Sequence, residues 1–276
     1  MQDLEATPDE IQALLDELQR HPQLRIKDAD LRARGVDPAS IRRWFNKHHH
    51  MTFQGYQRML RINLAYQNLS QGHSVTETAY DMGYESLSGF QYSFEQSTGA
   101  QAASHSDKVL LHLDRFTTPI GPMYAVANDD GLVLLEFTDR RALETEFLGV
   151  KKRLNAVILP GQHPILSQTR TQIQEYFSGQ RTTFSIPLQS PGTPFQQAVW
   201  QQLLKIPYGE TTSYKGQAEA LGKPKAVRAV ATANGHNRLA IVIPCHRVVG
   251  SDGSLTGYAG GMHRKQWLLD WERKGR

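Results

Sequence analysis

Residues 241–249 read Ile241-Val242-Ile243-Pro244-Cys245-His246-Arg247-Val248-Val249 and contain the only cysteine of a 276-residue chain. A thiol becomes a good nucleophile only as a thiolate, and its unperturbed pKa is about 8.5. The adjacent His246 and Arg247 are candidates for lowering that pKa. A lone cysteine between apolar runs is more often a small buried apolar residue. Residues elsewhere in the chain are therefore needed to distinguish a reactive cysteine from a structural one.

Length and composition restrict the classes of protein that fit. The chain suits two or three domains, and 39% hydrophobic with 21% charged residues is typical of globular proteins. One cysteine excludes an intramolecular disulfide and a cysteine-rich zinc site, and we expect no metal or organic cofactor. The acidic N-terminus, MQDLEATPDEIQ, lacks the layout of a signal peptide. We therefore expect a cytoplasmic, nucleoid-associated bacterial protein.

Positive charge is concentrated in two blocks. Residues 20–61 carry ten basic and three acidic residues, and residues 196–276 carry twelve basic and five acidic residues, so each block has a net charge of +7. The whole chain has a net charge of only +4. Two basic blocks indicate two surfaces that meet an anion such as nucleic acid, although two solvated faces with a chance excess are an alternative.

The first 50 residues predict three helices. Residues 7–22 form a helix with Thr7 as its cap, and residues 26–45 form two short helices separated by Gly35, the second capped by Asp37. This pattern is typical of a helix-turn-helix, whose second helix enters the major groove of DNA. In that helix we expect Ile41, Trp44 and Phe45 to face inward. We expect Ser40, Arg42 and Arg43 to face DNA.

A long helix over 52–70 leads to a second helix-turn-helix pattern over 75–97. Two such units joined by one helix resemble the AraC-type DNA-binding domain over residues 25–100. Residues 74–98 contain no Lys or Arg and have a net charge of −4, so we expect the first unit to make most DNA contacts and the second mainly to pack. Adjacent side chains on a helix point apart, so His48, His49 and His50 are interpreted as surface residues, not metal ligands.

Residues 100–108 are small and polar and are predicted to be a linker. An α+β pattern follows, with a strand over 109–116, a hairpin turn at Asn128-Asp129-Asp130-Gly131, helices over 140–154 and 164–177, and a strand over 182–188. Helices return from Thr193, with a third helix-turn-helix pattern over 212–235 and a closing helix over 262–274. Trp267, Leu268 and Trp271 are the core candidates of that last helix.

The segment Pro-Cys-His-Arg-Val resembles the active-site motif of the O6-alkylguanine-DNA alkyltransferases, and further residues at fixed separations from Cys245 match it. The matching residues are Tyr214, Arg228, Asn237, His246, Arg247, Tyr258, Gly260 and Glu272, with Pro194-Phe195-Gln196, Trp200 and Ile206-Pro207-Tyr208-Gly209.

The order of domains resembles the Ada-type adaptive-response proteins without their four-cysteine zinc module. The fold class predicted is multidomain. An all-α AraC-type domain spans 1–103, an α+β ribonuclease-H-like subdomain spans 108–190, and a winged-helix-like alkyltransferase domain spans 193–276.

The resemblance implies a suicide methylated-DNA–protein-cysteine methyltransferase. Such an enzyme moves the alkyl group of O6-alkylguanine, or O4-alkylthymine, in double-stranded DNA irreversibly to Cys245, in a single turnover. Glu272 is expected to orient His246, which takes the thiol proton directly or, as the resemblance implies, through water. Tyr214 is expected to donate a proton toward guanine N3, and Arg247 to support the loop as a structural cation.

The resemblance also implies how DNA is held. Arg228 resembles the arginine that fills the stack vacated by a flipped base, and Ala226, Ala229 and Ala233 would let its helix approach the minor groove closely. Asn237 is expected to hydrogen-bond the turns that join this helix to the cysteine loop. Tyr258, Ala259 and Gly260 resemble the pocket lid, where Ala259 replaces the serine of some members, which favours a more permissive pocket. The residues that we count as DNA-binding are Arg228, Ala226, Asn237, Tyr258, Ala259 and Gly260, together with Arg42 and Arg43 for promoter DNA.

Two other functions fit part of this pattern. One is a transcription regulator with a vestigial repair domain, and the other is a protein that binds lesions without repairing them. The presence of Cys245, His246 and Glu272 together favours an active transferase over both.

Overall fold

In this computed structural model the described residues are 8–49, 52–99, 101–104 and 108–275. The chain divides into two compact units, Met1–Val109 with Leu159–Gly161, and Leu110–Ile158 with Gln162–Arg276, and the structure describes only the stated residues of each. Thr7, His50 and part of the predicted linker, Ala100 and residues 105–107, lie outside the described residues. Within the described residues, no helix combines the length and the apolar content needed to cross a membrane.

The first unit is helical. Its helices are α1 (Pro8–Arg20), α2 (Asp28–Ala33), α3 (Pro38–His49), α4 (Phe53–Ser70), α5 (Val75–Asp81) and α6 (Leu87–Thr98). The pairs α2–α3 and α5–α6 are the two predicted helix-turn-helix units, joined by α4. Gly35 has a φ of +77°, which glycine adopts without strain. The Asp37 carboxylate accepts from the backbone N–H of Ala39 at 3.0 Å and of Ser40 at 2.9 Å, as a helix cap does.

The prediction that Ser40 faces DNA is wrong. Ser40 is buried. Its hydroxyl donates to the carbonyl of the capping residue Asp37 at 2.8 Å, because Ser40 lies in the first turn of α3, which Asp37 caps. Arg42 and Arg43 are exposed as predicted, whereas Trp44 is only half-buried. Phe45 is fully buried, with its ring 5.0 Å from that of Phe53. Burial of such a side chain contributes about 1.5–3 kcal/mol to stability.

The second unit begins with a four-stranded sheet in the order β3-β2-β1-β4. Its strands are β1 (Val109–Thr118), β2 (Gly121–Asn128), β3 (Gly131–Phe137) and β4 (Ala156–Pro160), accompanied by α7 (Leu143–Leu154) and α8 (Pro164–Phe177). β2 pairs with both β1 and β3 in antiparallel register, and the β2–β3 hairpin turns at the predicted Asn128–Gly131 segment. β4 was not predicted.

The predicted strand over 182–188 is wrong. The segment forms one isolated bridge, between Leu188 and Leu132. Elsewhere its backbone bonds to side chains: Ser185 N–H donates to Gln172 Oε1 at 2.9 Å, and the Thr183 carbonyl accepts from Arg181 Nη1 at 2.9 Å. Pro187 has no N–H to offer a ladder. The segment therefore follows α8 and the edge of β3 without extending the sheet.

The remainder of the second unit holds the cysteine. Its elements are α9 (Pro194–Leu203), β5 (Thr212–Ser213), α10 (Tyr214–Ala220), α11 (Val227–Gly235), β6 (Val248–Val249) and α12 (Met262–Lys274). The short β5 pairs with β6 in parallel, which ties the segment after Cys245 to the start of α10. On α12, Leu268 is buried as predicted, while Trp267 and Trp271 are half-buried and pack against the core.

Candidate active site

Cys245 begins a 3₁₀ turn, Cys245–Arg247, that follows a fully buried loop. Asn237 organises this loop, since its Nδ2 donates to the Ile243 carbonyl at 2.8 Å and to the Cys245 sulfur at 3.1 Å. Its Oδ1 accepts from Leu239 N–H at 3.0 Å. Asn237 therefore bonds the turn backbone as expected. It is only 2% exposed, however, so counting it as a DNA contact is wrong.

The Cys245 thiol is protonated at neutral pH in this loop. Burial raises the pKa of Cys245 to about 11, and the hydrogen bond from Asn237 only partly opposes this. The thiol therefore needs a nearby base at the moment it reacts.

The pH dependence of thiol alkylation tests this directly. We expect the rate at which iodoacetamide modifies Cys245 in the folded protein to rise about tenfold per pH unit from pH 7 to pH 10, because the thiolate fraction does. In denaturant the same cysteine should level off near its ordinary pKa of about 8.5. Mass spectrometry of the modified peptide gives both profiles. A plateau below pH 9 in the folded protein would contradict the raised pKa.

Glu272 on α12 is a fully buried carboxylate that accepts five hydrogen bonds. Its donors are His246 Nε2 at 2.9 Å, Arg247 Nε at 2.8 Å and Nη2 at 2.9 Å, Tyr176 Oη at 2.8 Å and Gly209 N at 3.0 Å. Burial opposes ionisation, yet the hydrogen bonds from His246 and Arg247 hold the pKa of Glu272 below its usual range. Ionised Glu272 therefore stabilises the fold at neutral pH, and this contribution is lost as the pH falls toward the depressed pKa.

His246 is the base that this arrangement provides. Burial lowers the pKa of His246 and outweighs the opposing effect of Glu272, so the imidazole is neutral at pH 7. An ionised carboxylate can only accept, so we assign the ring proton to Nε2, which faces Glu272. That leaves Nδ1 as the proton acceptor, and this atom is buried and bonds to no group among the described residues.

Arg247 supports the loop as expected. Besides its two hydrogen bonds to Glu272, its Nη1 donates to the Ile206 carbonyl at 2.6 Å, and its guanidinium lies 5.8 Å from the centre of the Tyr208 ring. Arg247 supplies the positive charge that keeps Glu272 ionised while His246 is neutral.

Lys265 is a functional candidate that the sequence analysis missed. Its side chain is completely buried, and its Nζ donates to the Val248 carbonyl at 2.5 Å and the Thr256 carbonyl at 2.6 Å. Burial lowers the pKa of Lys265 to about 8, although Cys245 opposes this. The available signal was its position on α12, since Lys265 shares one helical face with Leu268 and Glu272.

Tyr214, the first residue of α10, faces the lid segment. Its hydroxyl donates to the carbonyls of Thr256 at 3.0 Å and Gly257 at 3.1 Å. Burial raises the pKa of Tyr214, so it remains a phenol that can donate a proton. In the lid, a Cβ at Gly260 would lie 2.7 Å from Tyr258 Cε1 and 2.9 Å from Phe137 Cδ2, so no larger residue fits without displacing these rings.

The chain matches three family models. Residues 194–274 match the DNA binding domain of 6-O-methylguanine DNA methyltransferase, residues 113–190 match its ribonuclease-like domain, and residues 31–104 match a helix-turn-helix domain. A methylated-DNA–protein-cysteine methyltransferase of Methanosarcina barkeri (strain Fusaro / DSM 804) is 41% identical over 165 residues, which are 59% of this chain and 97% of that protein.

The chain belongs to the methylated-DNA–protein-cysteine methyltransferase family.

Relatives and solved structures agree with this membership. The methyltransferase of Mycobacterium tuberculosis (strain ATCC 25618 / H37Rv) is 44% identical over 59% of this chain and 93% of its own length. The crystal structure of M. tuberculosis O6-methylguanine methyltransferase covers 60% of this chain and 94% of its own, with 40% identity and a TM-score of 0.51. The same protein in complex with DNA has the same coverage and TM-score.

The predicted DNA-facing residues of this methyltransferase fall into two groups. Arg228 and Ala229 are exposed in the first turn of α11, and Ala226 just before it is half-exposed. Ala233 is buried, and its carbonyl accepts from Trp200 Nε1 at 2.9 Å. The prediction that Ala233 lies against DNA is therefore wrong, because it is on the face of α11 that packs on α9.

One group of the described side chains could share a metal ion. Among the described residues, the side chains close enough to share an ion are His73, Glu77 and Asp81, all exposed on the helix-turn-helix unit. Exposed acidic groups are common without an ion, so we assign no metal to this cluster.

Proposed function

We propose that the chain repairs DNA by moving the alkyl group of O6-alkylguanine, or of O4-alkylthymine, irreversibly to Cys245. The observation that carries this proposal is the buried network of His246, Glu272 and Arg247 next to Cys245 in the chain. Glu272 fixes the ring of His246 by accepting from its Nε2, and among the described groups His246 Nδ1 has no partner and can accept a proton. A nucleophile, a base and a group that orients the base are the parts that covalent catalysis needs.

The reaction is an in-line displacement. The Cys245 sulfur forms a bond to the alkyl carbon while the bond from that carbon to guanine O6 breaks, and the electron pair of that bond stays on the base. The thiol proton passes to His246 Nδ1, through a water in the version that the family resemblance implies. Tyr214 donates a proton toward guanine N3 as negative charge develops on the leaving base.

The imidazolium formed at His246 is stabilised where it arises. It lies 2.9 Å from Glu272, and that carboxylate is held ionised by Arg247. In a buried site such a charge pair is stronger than in water, so the network favours thiolate formation only when the proton can reach Nδ1.

The target base has to leave the duplex to reach a buried thiol, at a cost of a few kcal/mol. Arg228, exposed on α11, is assigned to the vacated stack, and Tyr258, Ala259 and Gly260 are assigned to the lid. Ala259 removes a possible side-chain hydrogen bond near O6, so we assign this pocket a wider range of alkyl groups. The thioether is stable, so each molecule reacts once.

Transfer of labelled methyl groups tests the proposal. Full-length protein is incubated with duplex DNA that carries O6-[³H-methyl]guanine, and the protein is then digested and mapped. We expect one methyl group per molecule, on the peptide that contains Cys245, and none from DNA labelled only at a position other than O6 of guanine or O4 of thymine. Absence of transfer from the O6-labelled DNA would overturn the proposal and favour a regulator with a vestigial repair domain or a protein that only binds lesions.

We further propose three domains, with an AraC-type promoter-binding domain over 1–103, a ribonuclease-H-like subdomain over 108–190 and a winged-helix-like catalytic domain over 193–276. The charge of the first unit supports promoter binding, since Arg42 and Arg43 are exposed on α3. The second helix-turn-helix offers exposed Gln91 and Tyr92 but no cation.

Loss of Arg42 and Arg43 is expected to abolish promoter binding. The double change Arg42→Ala with Arg43→Ala removes two contacts worth roughly 1–3 kcal/mol each. The matched control, Gln91→Ala with Tyr92→Ala, should change affinity far less. Fluorescence anisotropy with a duplex selected for binding to residues 1–107 measures both. Equal losses from the two double variants would contradict the assignment of DNA contact to α3.

A further inference from the structure

The first compact unit contains a cavity of about 520 Å³ whose lining includes four cations and one carboxylate. We propose that this cavity, called here the Arg61 cavity, binds a phosphate-type oxyanion. Its lining includes Arg25, Lys27, Arg58 and Arg61, with Tyr84 and Ser93 on the side of the second helix-turn-helix.

Arg61 is the buried cation of this lining, and its hydrogen-bonding capacity is only partly used by the described groups. It is only 8% exposed, and its Nε makes no hydrogen bond to any described group. Its Nη1 has a long contact of 3.5 Å with the Leu24 carbonyl. Burial, together with the neighbouring charge of Arg25, lowers the pKa of Arg61, although a hydrogen bond with Tyr84 opposes this. A buried guanidinium without a carboxylate is costly, because proteins normally pair such charges.

The cavity has fewer anionic than cationic side chains in its lining. Asp28 is the one carboxylate that lines it, and Asp28 is already paired with Arg42 at 2.6 Å. Among the described residues, no carboxylate forms an ion pair with Arg25, Arg58 or Arg61. Positive charge in the cavity is therefore in excess.

The walls are held in place before any ligand arrives. Gln57, buried on α4, accepts from Ile26 N–H at 2.7 Å and donates to the Ile26 carbonyl at 3.0 Å, which fixes residues 25–28 to α4. Tyr84 donates to Ser93 Oγ at 2.9 Å, and the Arg25 guanidinium lies 5.2 Å from the Tyr84 ring centre. A site built in advance loses less entropy when it binds.

Guanidinium groups point to an oxyanion as the ligand, because their planar donors match phosphate oxygens in pairs. Two sources supply this chemistry. One is a phosphodiester of DNA bound to the unit, and the other is free phosphate or a small phosphorylated molecule.

Phosphate titration of the full-length chain tests the site. Sodium phosphate and pyrophosphate are titrated against wild type by calorimetry at constant ionic strength, with chloride as the balancing salt. We expect binding that falls at least about tenfold in Arg61→Gln and in the double variant Arg25→Gln with Arg58→Gln, since charge-assisted hydrogen bonds to an oxyanion are lost in each. Arg25 and Arg58 are exposed, so the double variant remains informative if Arg61→Gln fails to fold. Arg32→Gln is the control, because Arg32 is an exposed cation outside the cavity.

The source of the oxyanion is distinguished with an unmethylated duplex. If DNA supplies it, phosphate competes with the duplex for the protein. The slope of log affinity for DNA against log salt concentration should then fall by about one unit more in the double variant than in Arg32→Gln. If a free anion is the ligand, phosphate binds without competing. Methyl transfer to Cys245 is measured on the same variants and should be unchanged, which separates this proposal from the repair activity. Equal behaviour of all variants toward phosphate and DNA would overturn it.

Discussion

Cys245→Ser is expected to lose methyl transfer by a factor on the order of 10⁶, the loss typical when a covalent nucleophile is removed from an intact site. A hydroxyl is a poorer nucleophile than a thiolate toward an alkyl carbon, and His246 cannot deprotonate it to a useful extent. The hydrogen bond from Asn237 Nδ2, 3.1 Å from the sulfur, can be kept by a serine oxygen. The substitution therefore removes the chemistry and keeps the loop.

The rate of label transfer from O6-methylguanine DNA measures this loss, and the thermal midpoint shows whether the fold is kept. Binding of the same DNA to Cys245→Ser should remain close to wild type, because Arg228 and the lid are untouched. Measurable transfer to the serine variant would show that another residue is the acceptor.

Glu272→Gln is expected to slow transfer about 10²- to 10⁴-fold, the range contributed by a general base that is correctly oriented and charged. The amide keeps the shape but removes the charge that stabilises a protonated His246. It also leaves Arg247 as a buried cation without its partner, which costs about 3–5 kcal/mol of stability. We therefore expect a lower thermal midpoint together with the slower transfer.

Tyr176→Phe is the matched control for this variant. Tyr176 donates to the same carboxylate oxygen as His246, at 2.8 Å, but carries no charge. Its loss should cost about 0.5–1.5 kcal/mol of stability and leave the transfer rate within a few-fold of wild type. Equal slowing in both variants, at a temperature where both are folded, would show that Glu272 acts through packing and not through its charge.

The sequence predicted the elements whose signals are local. The helix α12 was predicted from the apolar residues on one of its faces. The turn at Asn128–Gly131 was predicted from its own turn-forming residues. The strand over 182–188 was predicted from the local stretch TTFSIPL. A segment joins a sheet only if a sheet edge is free and its own N–H groups are available to pair. Here Pro187 has no N–H, and the N–H of Ser185 is bound to the Gln172 side chain.

The same division applies to the site. His246 and Glu272 were found because the family motif fixes their separation. Tyr176 and Lys265 were missed because their roles depend on burial against residues far away in the chain, such as Glu272 for Tyr176. Ser40 was misplaced for the reverse reason. Its helical position favoured exposure, but the cap turn at Asp37 took its hydroxyl inward.

The Tyr214 hydroxyl has consequences for substrate preference. It has one proton, which the carbonyls of Thr256 and Gly257 share at 3.0 and 3.1 Å. An incoming base must compete with these two carbonyls for the hydrogen bond from the Tyr214 hydroxyl. Only a base with an acceptor at the right place replaces the hydrogen bond that Tyr214 then loses. A purine presents N3 there, whereas a smaller pyrimidine presents a differently placed oxygen. Alkylguanine should therefore outrank alkylthymine as a substrate, and the ranking would originate in the lid backbone and not in any contact to the alkyl group itself.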